Sequence, residues 1–217
     1  MKRLITTIAF VAIAATSFSQ TKTSIYSEGI CDCVNQQMGL DKNYPGCFEK
    51  ALKDHIVQFN QDLLEKGDTS KEGKEKLRSE IATTVMIDLI RTCPIFYNYF
   101  DSIEEASFRI LNNKDPLKQL INGLDTVHES KRDEHYYKFK AILFFQSGDY
   151  DGALKMAEAI LSKDSLNTDA LFLKATVFDK KKRYAEAIEL YEKIAAMTKN
   201  KGYLFFAAVD RRKLEGK

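Results

Sequence analysis

Several residue types are scarce in this chain of 217 residues. Tryptophan is absent, and only 3 Pro and 10 Gly interrupt the sequence, which argues against all-β and collagen-like folds. Neither charge dominates, because 33 Lys and Arg residues face 31 Asp and Glu residues. Electrostatics therefore gives no reason to expect a nucleic acid or an anionic membrane as the partner. The hydrophobic content of 44% indicates a globular chain rather than a disordered one.

The start of the chain has the three-part layout of a secretory signal peptide. Lys2 and Arg3 precede an apolar run at residues 4–15, and small residues follow at Ser17 and Ser19. The run has 12 residues, whereas a membrane-spanning helix takes about 20. We expect residues 1–19 to be removed by cleavage after Ser19, which leaves an exported protein in the periplasm or outside the cell. We expect no membrane insertion after that cleavage.

Cysteine is missing from residues 94–217, and all four cysteines lie before that point. An even number of cysteines in an exported protein favours two disulfides. A four-thiolate zinc site would favour paired C-x2-C motifs, whereas this chain has one C-x-C and two isolated cysteines. On a helix Cys31 and Cys33 point about 200° apart, so they are poorly placed to bond each other. We favour the pairs Cys33–Cys47 and Cys31–Cys93, with the swapped pairing as the alternative.

Apolar residues recur at helical spacing throughout residues 20–112, which predicts a helical four-cysteine domain. One helix is predicted over residues 47–66 with Gly67 as its stop, a second ends at Pro94, and a third covers 95–111. Residues 113–133 are predicted to hold a helix that begins at Asp115-Pro116, followed by a polar linker. This segment is either a degenerate repeat or a junction.

The second half repeats with a period of 34 residues. Residues 134–167, shifted by 34, align with 168–201, and the matched positions include Ala141 with Ala175 and Tyr150 with Tyr184. A period of this length in a helical pattern is typical of stacked helix–turn–helix repeats. A capping helix from Tyr203 onward should cover the last repeat. The expected fold is therefore all-α: a disulfide-stapled helical domain, then a short α-solenoid over residues 134–217.

The segment from Gly148 to Ala153 resembles the central turn of the tetratricopeptide repeat family, and the segment from Arg183 to Tyr191 is similarly close. The four-cysteine half resembles no family that we recognise. Lys140 and Lys174 depart from the pattern, because the family usually has an apolar residue there. The resemblance implies paired antiparallel helices and a concave face that binds a peptide or a protein.

Carried over by position, the concave face would be formed by the first helix of each repeat. Its members are His135, Lys138, Ile142, Phe145, Asp169, Phe172, Thr176, Asp179, Tyr203 and Phe206. Exposed aromatic side chains among scattered charges would suit a peptide groove. Alternatively, the three phenylalanines pack against the cysteine-containing half and leave no groove.

No catalytic motif stands out in the sequence. There is no G-x-S-x-G nucleophile motif, phosphate loop or dinucleotide fingerprint. His128 and His135 are seven residues apart but lack the H-E-x-x-H arrangement of a zinc site. The basic run from Lys180 to Arg183 falls on a predicted turn and is interpreted as solvated. We therefore expect a non-enzymatic adaptor or scaffold without cofactor or metal. The alternative is a thiol–disulfide or metal-handling protein that acts through the four cysteines.

Overall fold

The structure is a computed structural model that describes residues 24–36, 40–107 and 115–216. Every regular element in these ranges is helical, with eleven α-helices and one 3-10 turn, so the predicted all-α fold is confirmed. The predicted signal peptide, residues 1–19, lies outside the described residues. None of the described helices combines the length and the apolar character needed to cross a bilayer.

The chain forms two compact units that divide between Tyr99 and Phe100. The first unit contains α1 (24–36), α2 (Leu40–Asp54), α3 (Ile56–Glu65), α4 (Lys71–Thr92) and the start of α5 (Pro94–Ser107). The second contains the end of α5, then α6 (Asp115–Asp125), α7 (Glu134–Ser147), α8 (Tyr150–Leu161), α9 (Thr168–Lys180), α10 (Tyr184–Thr198) and α11 (Tyr203–Leu214), with a 3-10 turn at Glu129–Lys131. The predicted boundary between residues 112 and 113 falls outside the described ranges.

Two disulfides join the helices of the first unit. Cys31 bonds Cys93 and Cys33 bonds Cys47, with Cα–Cα distances of 5.8 and 5.7 Å. Of the two pairings that the sequence left open, this is the favoured one. Cys33 turns toward the core of the unit and is 7% exposed, in agreement with its place beside Ile30 and Val34, which are fully buried. The bonds therefore fix α1 to α2 and to the end of α4.

Helix α4 supplies the longest buried stripe of the first unit. Leu77, Ile81, Val85 and Leu89 recur every four residues and are at most 7% exposed. Ser70 caps the start of the helix, because its hydroxyl accepts a hydrogen bond from the backbone N–H of Gly73 at 3.0 Å. It ends at Thr92 because Pro94 opens the next helix. The polar start of α4 is exposed and its apolar end lies in the core.

The predicted single helix over residues 47–66 is wrong, because two helices occupy this stretch. Helix α2 begins earlier, at Leu40, and ends at Asp54, and α3 follows from Ile56. His55 separates them with φ −112° and ψ 31°, away from helical backbone values. Its ring meets the ring of Tyr26 edge-on, with 5.5 Å between the centroids. Apolar periodicity cannot reveal such a break, since the buried positions keep nearly the same spacing on both sides.

The second unit contains the two repeats that the 34-residue period predicts. Helices α7 and α8 form the first pair, and α9 and α10 form the second. Ala141, Ala153, Ala175 and Ala187 are fully buried, which lets the paired helices approach closely. Gly148 ends α7 with φ 80°, a left-handed conformation that glycine adopts without steric cost. Helix α11 follows as the predicted capping helix, with Ala207 in the core formed by α9 and α10.

The two lysines that depart from the family pattern each pair with an acid on a preceding helix. Lys140 on α7 is 6% exposed and forms an ion pair with Asp125, the last residue of α6. Lys174 on α9 makes the equivalent contact with Glu158 on α8, 3.0 Å away. Burial acts to lower the pKa of Lys140, but hydrogen bonds from its ammonium to Asp125 and Tyr136 outweigh this effect and raise that pKa. The contact of α6 with α7 therefore matches that of α8 with α9, since in each case an acid of the earlier helix pairs with a lysine of the later one.

Candidate functional site

The ten predicted concave-face residues lie on α7, α9 and α11, but they differ in exposure. His135, Ile142 and Asp169 are exposed, with Ile142 at 43%. Four others are partly buried: Lys138, Phe172, Tyr203 and Phe206. The remaining three, Phe145, Thr176 and Asp179, are at most 5% exposed. The accessible surface is therefore smaller than the positional carry-over implies.

Each buried member has partners inside the second unit. Phe145 packs against Ala153 and Val177, and its ring lies 5.4 Å from that of Tyr150. The hydroxyl of Thr176 donates a hydrogen bond to the backbone carbonyl of Phe172 at 2.9 Å. These contacts give Phe145 and Thr176 a packing role within the array, so their side chains do not line an open groove.

Asp179 is buried for a different reason. The ammonium of Lys213 on α11 donates a hydrogen bond to its carboxylate at 3.0 Å, and Lys180 lies 3.7 Å away. A buried carboxylate is stable only when it is paired, and these cations supply that pairing. Asp179 therefore links α9 to α11 instead of facing a ligand.

Four aromatic rings form a cluster between α9, α10 and α11. The ring of Phe172 lies 5.7 Å from that of Tyr203 and 5.4 Å from that of Phe206, both edge-on. Tyr191 stacks on Phe206 at 5.3 Å and is fully buried behind it. Such offset and edge-on arrangements are the favourable ones for aromatic pairs. The cluster gives the face a rigid apolar wall, and its member Tyr191 was not among the predicted site residues.

Helix α7 presents the most exposed apolar part of the face. Ile142 is joined there by Phe139, which is 49% exposed. With His135, these two follow the i, i+4, i+7 spacing that places residues on one side of a helix. The family positions assigned the neighbouring Lys138 to the face, so Phe139 was missed. The signal that could have found it is its helical spacing from His135 and Ile142.

The charges on the face are largely paired with each other. Lys138 on α7 forms an ion pair with Asp169 on α9, which bridges the two repeats. The amide of Asn167 donates a hydrogen bond to Glu134 at 3.0 Å, across the same pair of helices. What the face offers is therefore apolar and aromatic contact rather than strong charge.

The basic run from Lys180 to Arg183 is only partly solvated, because Lys180 belongs to α9 and its side chain is 14% exposed beside Asp179. Lys181 pairs with Asp151, Arg183 pairs with Glu186, and Lys182 is exposed. The hydrogen bond from Arg183 is the main cause that lowers the pKa of Glu186. The acids of the same repeats thus balance much of the charge of the turn, which argues against a dedicated anion site.

A cavity of about 320 Å³ opens among α8, α9 and α10. Leu154, Phe178 and Leu190 contribute its apolar lining. The guanidinium of Arg183 lies 4.1 Å from the centre of the Phe178 ring, a cation–π contact. Lys174 also lines the cavity and pairs with Glu158, so both of its cations are held by groups of the same chain. None of the predicted concave-face residues lines the cavity.

The candidate metal and thiol residues do not assemble into a site among the described residues. No group of three or more His, Cys, Asp or Glu side chains there could hold a metal ion. His128 instead caps the 3-10 turn, where its Nδ1 lies 2.9 Å from the hydroxyl of Ser130. All four cysteines are in disulfides, and Cys47 and Cys93 are at most 1% exposed. Thiol exchange needs an accessible thiolate, so this arrangement favours a structural role.

These features agree with the comparison to known families. The family model described as Tetratricopeptide repeat matches residues 140–201. This part of the chain is a tetratricopeptide repeat. The chain matches no curated protein and no solved structure. The recognised repeat is typical of non-catalytic scaffolds for protein–protein interaction, and the first unit is unassigned.

Proposed function

We propose that this protein is an exported, non-enzymatic adaptor of the cell envelope that holds a peptide or protein partner on the concave face of its repeats. The observation that carries the proposal is the set of apolar side chains still accessible on the first helices, Phe139, Ile142, Phe172, Tyr203 and Phe206. Rigid aromatic and aliphatic groups of this kind are the usual anchors of protein interfaces.

The chemistry of the face defines the partner. Because Lys138 and Asp169 neutralise each other, a partner gains little from charge and most from burying apolar side chains. We therefore expect a segment with exposed aromatic or aliphatic residues, bound with weak dependence on salt. A single small array supports modest affinity, which suits an adaptor that holds its partner reversibly.

The binding proposal is tested by photo-crosslinking in intact cells. A photoreactive phenylalanine analogue at position 139 or 172 should give the same crosslinked partner, and Ile142→Asp should abolish it. The matched control is the analogue at Met197, an exposed apolar residue on α10, which should not crosslink that partner. Equal crosslinking from all three positions would contradict concave-face recognition.

The proposed export and signal-peptide cleavage are tested by mass measurement of the exported protein. Cleavage after Ser19 predicts a chain that begins at Gln20, and the two disulfides predict no thiol that alkylation can label. An intact start, or recovery of the protein only from the cytoplasm, would overturn the export proposal. One or two reactive thiols would instead favour the thiol–disulfide alternative.

A further inference from the structure

The last helix keeps the register of the repeats, so its residues can be compared with those of the first helices. Phe205 lies two 34-residue periods after Tyr137, and Lys213 lies two periods after Phe145. In the first repeat, these two positions contact the second helix and the turn that follows it. The ring of Phe145 meets Tyr150 of α8, and the ammonium of Lys163, in the turn after α8, lies 5.0 Å from the centre of the Tyr137 ring.

On α11, the same two positions contact the end of α5. The ring of Phe205 lies 5.7 Å from that of Phe100, and the ammonium of Lys213 lies 3.3 Å from the carboxylate of Asp101. Phe100 and Asp101 belong to the second compact unit. Their contacts are two helical turns apart on α11 and bracket Val209, which is 2% exposed. The end of α5 thus contacts α11 at the two positions that, in the first repeat, contact the second helix and the turn after it.

The ion pair also joins α11 to the rest of the array. Lys213 lies 3.0 Å from Asp179 on α9, 3.3 Å from Asp101 on α5 and 3.8 Å from Asp210 on its own helix. One ammonium therefore connects three helices at a point where Asp179 and Asp210 are at most 4% exposed. Paired charges in such surroundings fix geometry, because a shifted helix would leave a charge buried without its partner.

We propose that the end of α5 acts in place of a second helix for α11, and that Phe100 and Asp101 are positioning residues that hold α11 in repeat register. Helix α11 carries Tyr203 and Phe206, two rings of the four-ring aromatic cluster. The consequence for ligand recognition rests on the proposed function, since it is the concave face that these rings complete.

Hydrogen exchange of the full chain tests this claim without any ligand. In Phe100→Ala/Asp101→Asn, the amides of α11 should exchange about tenfold faster than in the wild type, while those of α7 and α8 keep their rates. Asp101→Glu should retain most of the protection of α11, because it keeps the negative charge that faces Lys213. Unchanged exchange of α11 in the double variant would overturn the proposal. A uniform loss of protection from α7 to α11 would also overturn it, since it would assign the two residues to general stability.

Two control variants separate this contact from unspecific effects. Asn98→Ala alters an exposed position of the same helix α5, and Asp151→Asn removes the acid of the ion pair with Lys181. Both should leave the exchange of α11 at the wild-type rate. Because no partner takes part, failure here is distinguishable from failure of the crosslinking test. Concave-face binding could survive a mobile α11, and an ordered α11 could lack a partner.

Discussion

The two halves of this molecule solve the problem of holding short helices together in different ways. The first unit joins helices of unequal length with two disulfides, and its sequence shows no period. The second unit has no cysteine and stacks two helix pairs of similar length through buried alanines. Cross-links act largely by restricting the unfolded chain, whereas repeats gain stability from each interface between neighbours. The halves should therefore respond to different perturbations.

The largest effect is expected from removing the long-range disulfide. Cys31 and Cys93 are 62 residues apart, so the chain-entropy estimate for Cys31→Ser/Cys93→Ser is a loss of about 4 kcal/mol. The loss should fall on the first unit, and exchange protection of α7–α10 should persist. Urea unfolding combined with hydrogen exchange measures both quantities.

The shorter disulfide provides the comparison for that experiment. Cys33 and Cys47 are 14 residues apart, and their removal should cost about 3 kcal/mol by the same estimate. Equal loss of protection in both units after either change would contradict the division of labour between cross-links and repeats.

A smaller loss is expected when the close approach of repeat helices is obstructed. Ala175 is fully buried beside Ala187 and Tyr191, so Ala175→Leu overfills this interface and should cost about 2 kcal/mol. The measurement is the midpoint of urea unfolding of the second unit. Ala185→Leu on the exposed side of α10 is the matched control and should change stability by less than about 0.5 kcal/mol.

A gain in the stability of the second unit is expected when the strained backbone at Lys182 is relieved. Lys182 lies one period after Gly148 and has φ 60°, while Gly148 has φ 80°. A side chain costs about 1 kcal/mol in this left-handed region, so Lys182→Gly should stabilise the second unit by up to about that amount. Gly148→Ala should do the opposite. Thermal melting of the three proteins orders them, and a destabilised Lys182→Gly variant would contradict the explanation.

The smallest effect at neutral pH is expected at Tyr44, and it grows in alkali. Burial raises the pKa of Tyr44 to about 12, whereas a tyrosine in the unfolded chain ionises near 10. The unfolded state therefore releases its proton first, and stability falls as the pH rises above about 10. Tyr44→Phe should reduce this fall and change neutral stability by less than about 0.5 kcal/mol. Urea unfolding at pH 8 and 11 checks both, and an identical alkaline fall in the variant would rule out Tyr44 as a source.

Periodicity and residue chemistry predicted much of this fold, but only where the relevant contacts repeat. The all-α class and the helix pairs from Glu134 followed from spacing, whereas spacing left two disulfide pairings open and only favoured the one that the structure has. The break at His55 did not follow from spacing, because buried positions continue through it. The burial of Asp179 could not be foreseen either, since its partner Lys213 is close only after the helices stack. Likewise, the contact of Phe100 with Phe205 lies outside the repeat pattern.

The placement of Lys213 has a practical consequence for trimming the protein. A protease that cuts after Arg211 or Arg212 releases this lysine and leaves the carboxylates of Asp101, Asp179 and Asp210 without the cation that they share. The few residues beyond the cut carry no large apolar group except Leu214, yet their loss should cost more than their size indicates. Truncated versions intended for crystallisation or fusion should therefore keep the chain intact through Lys213.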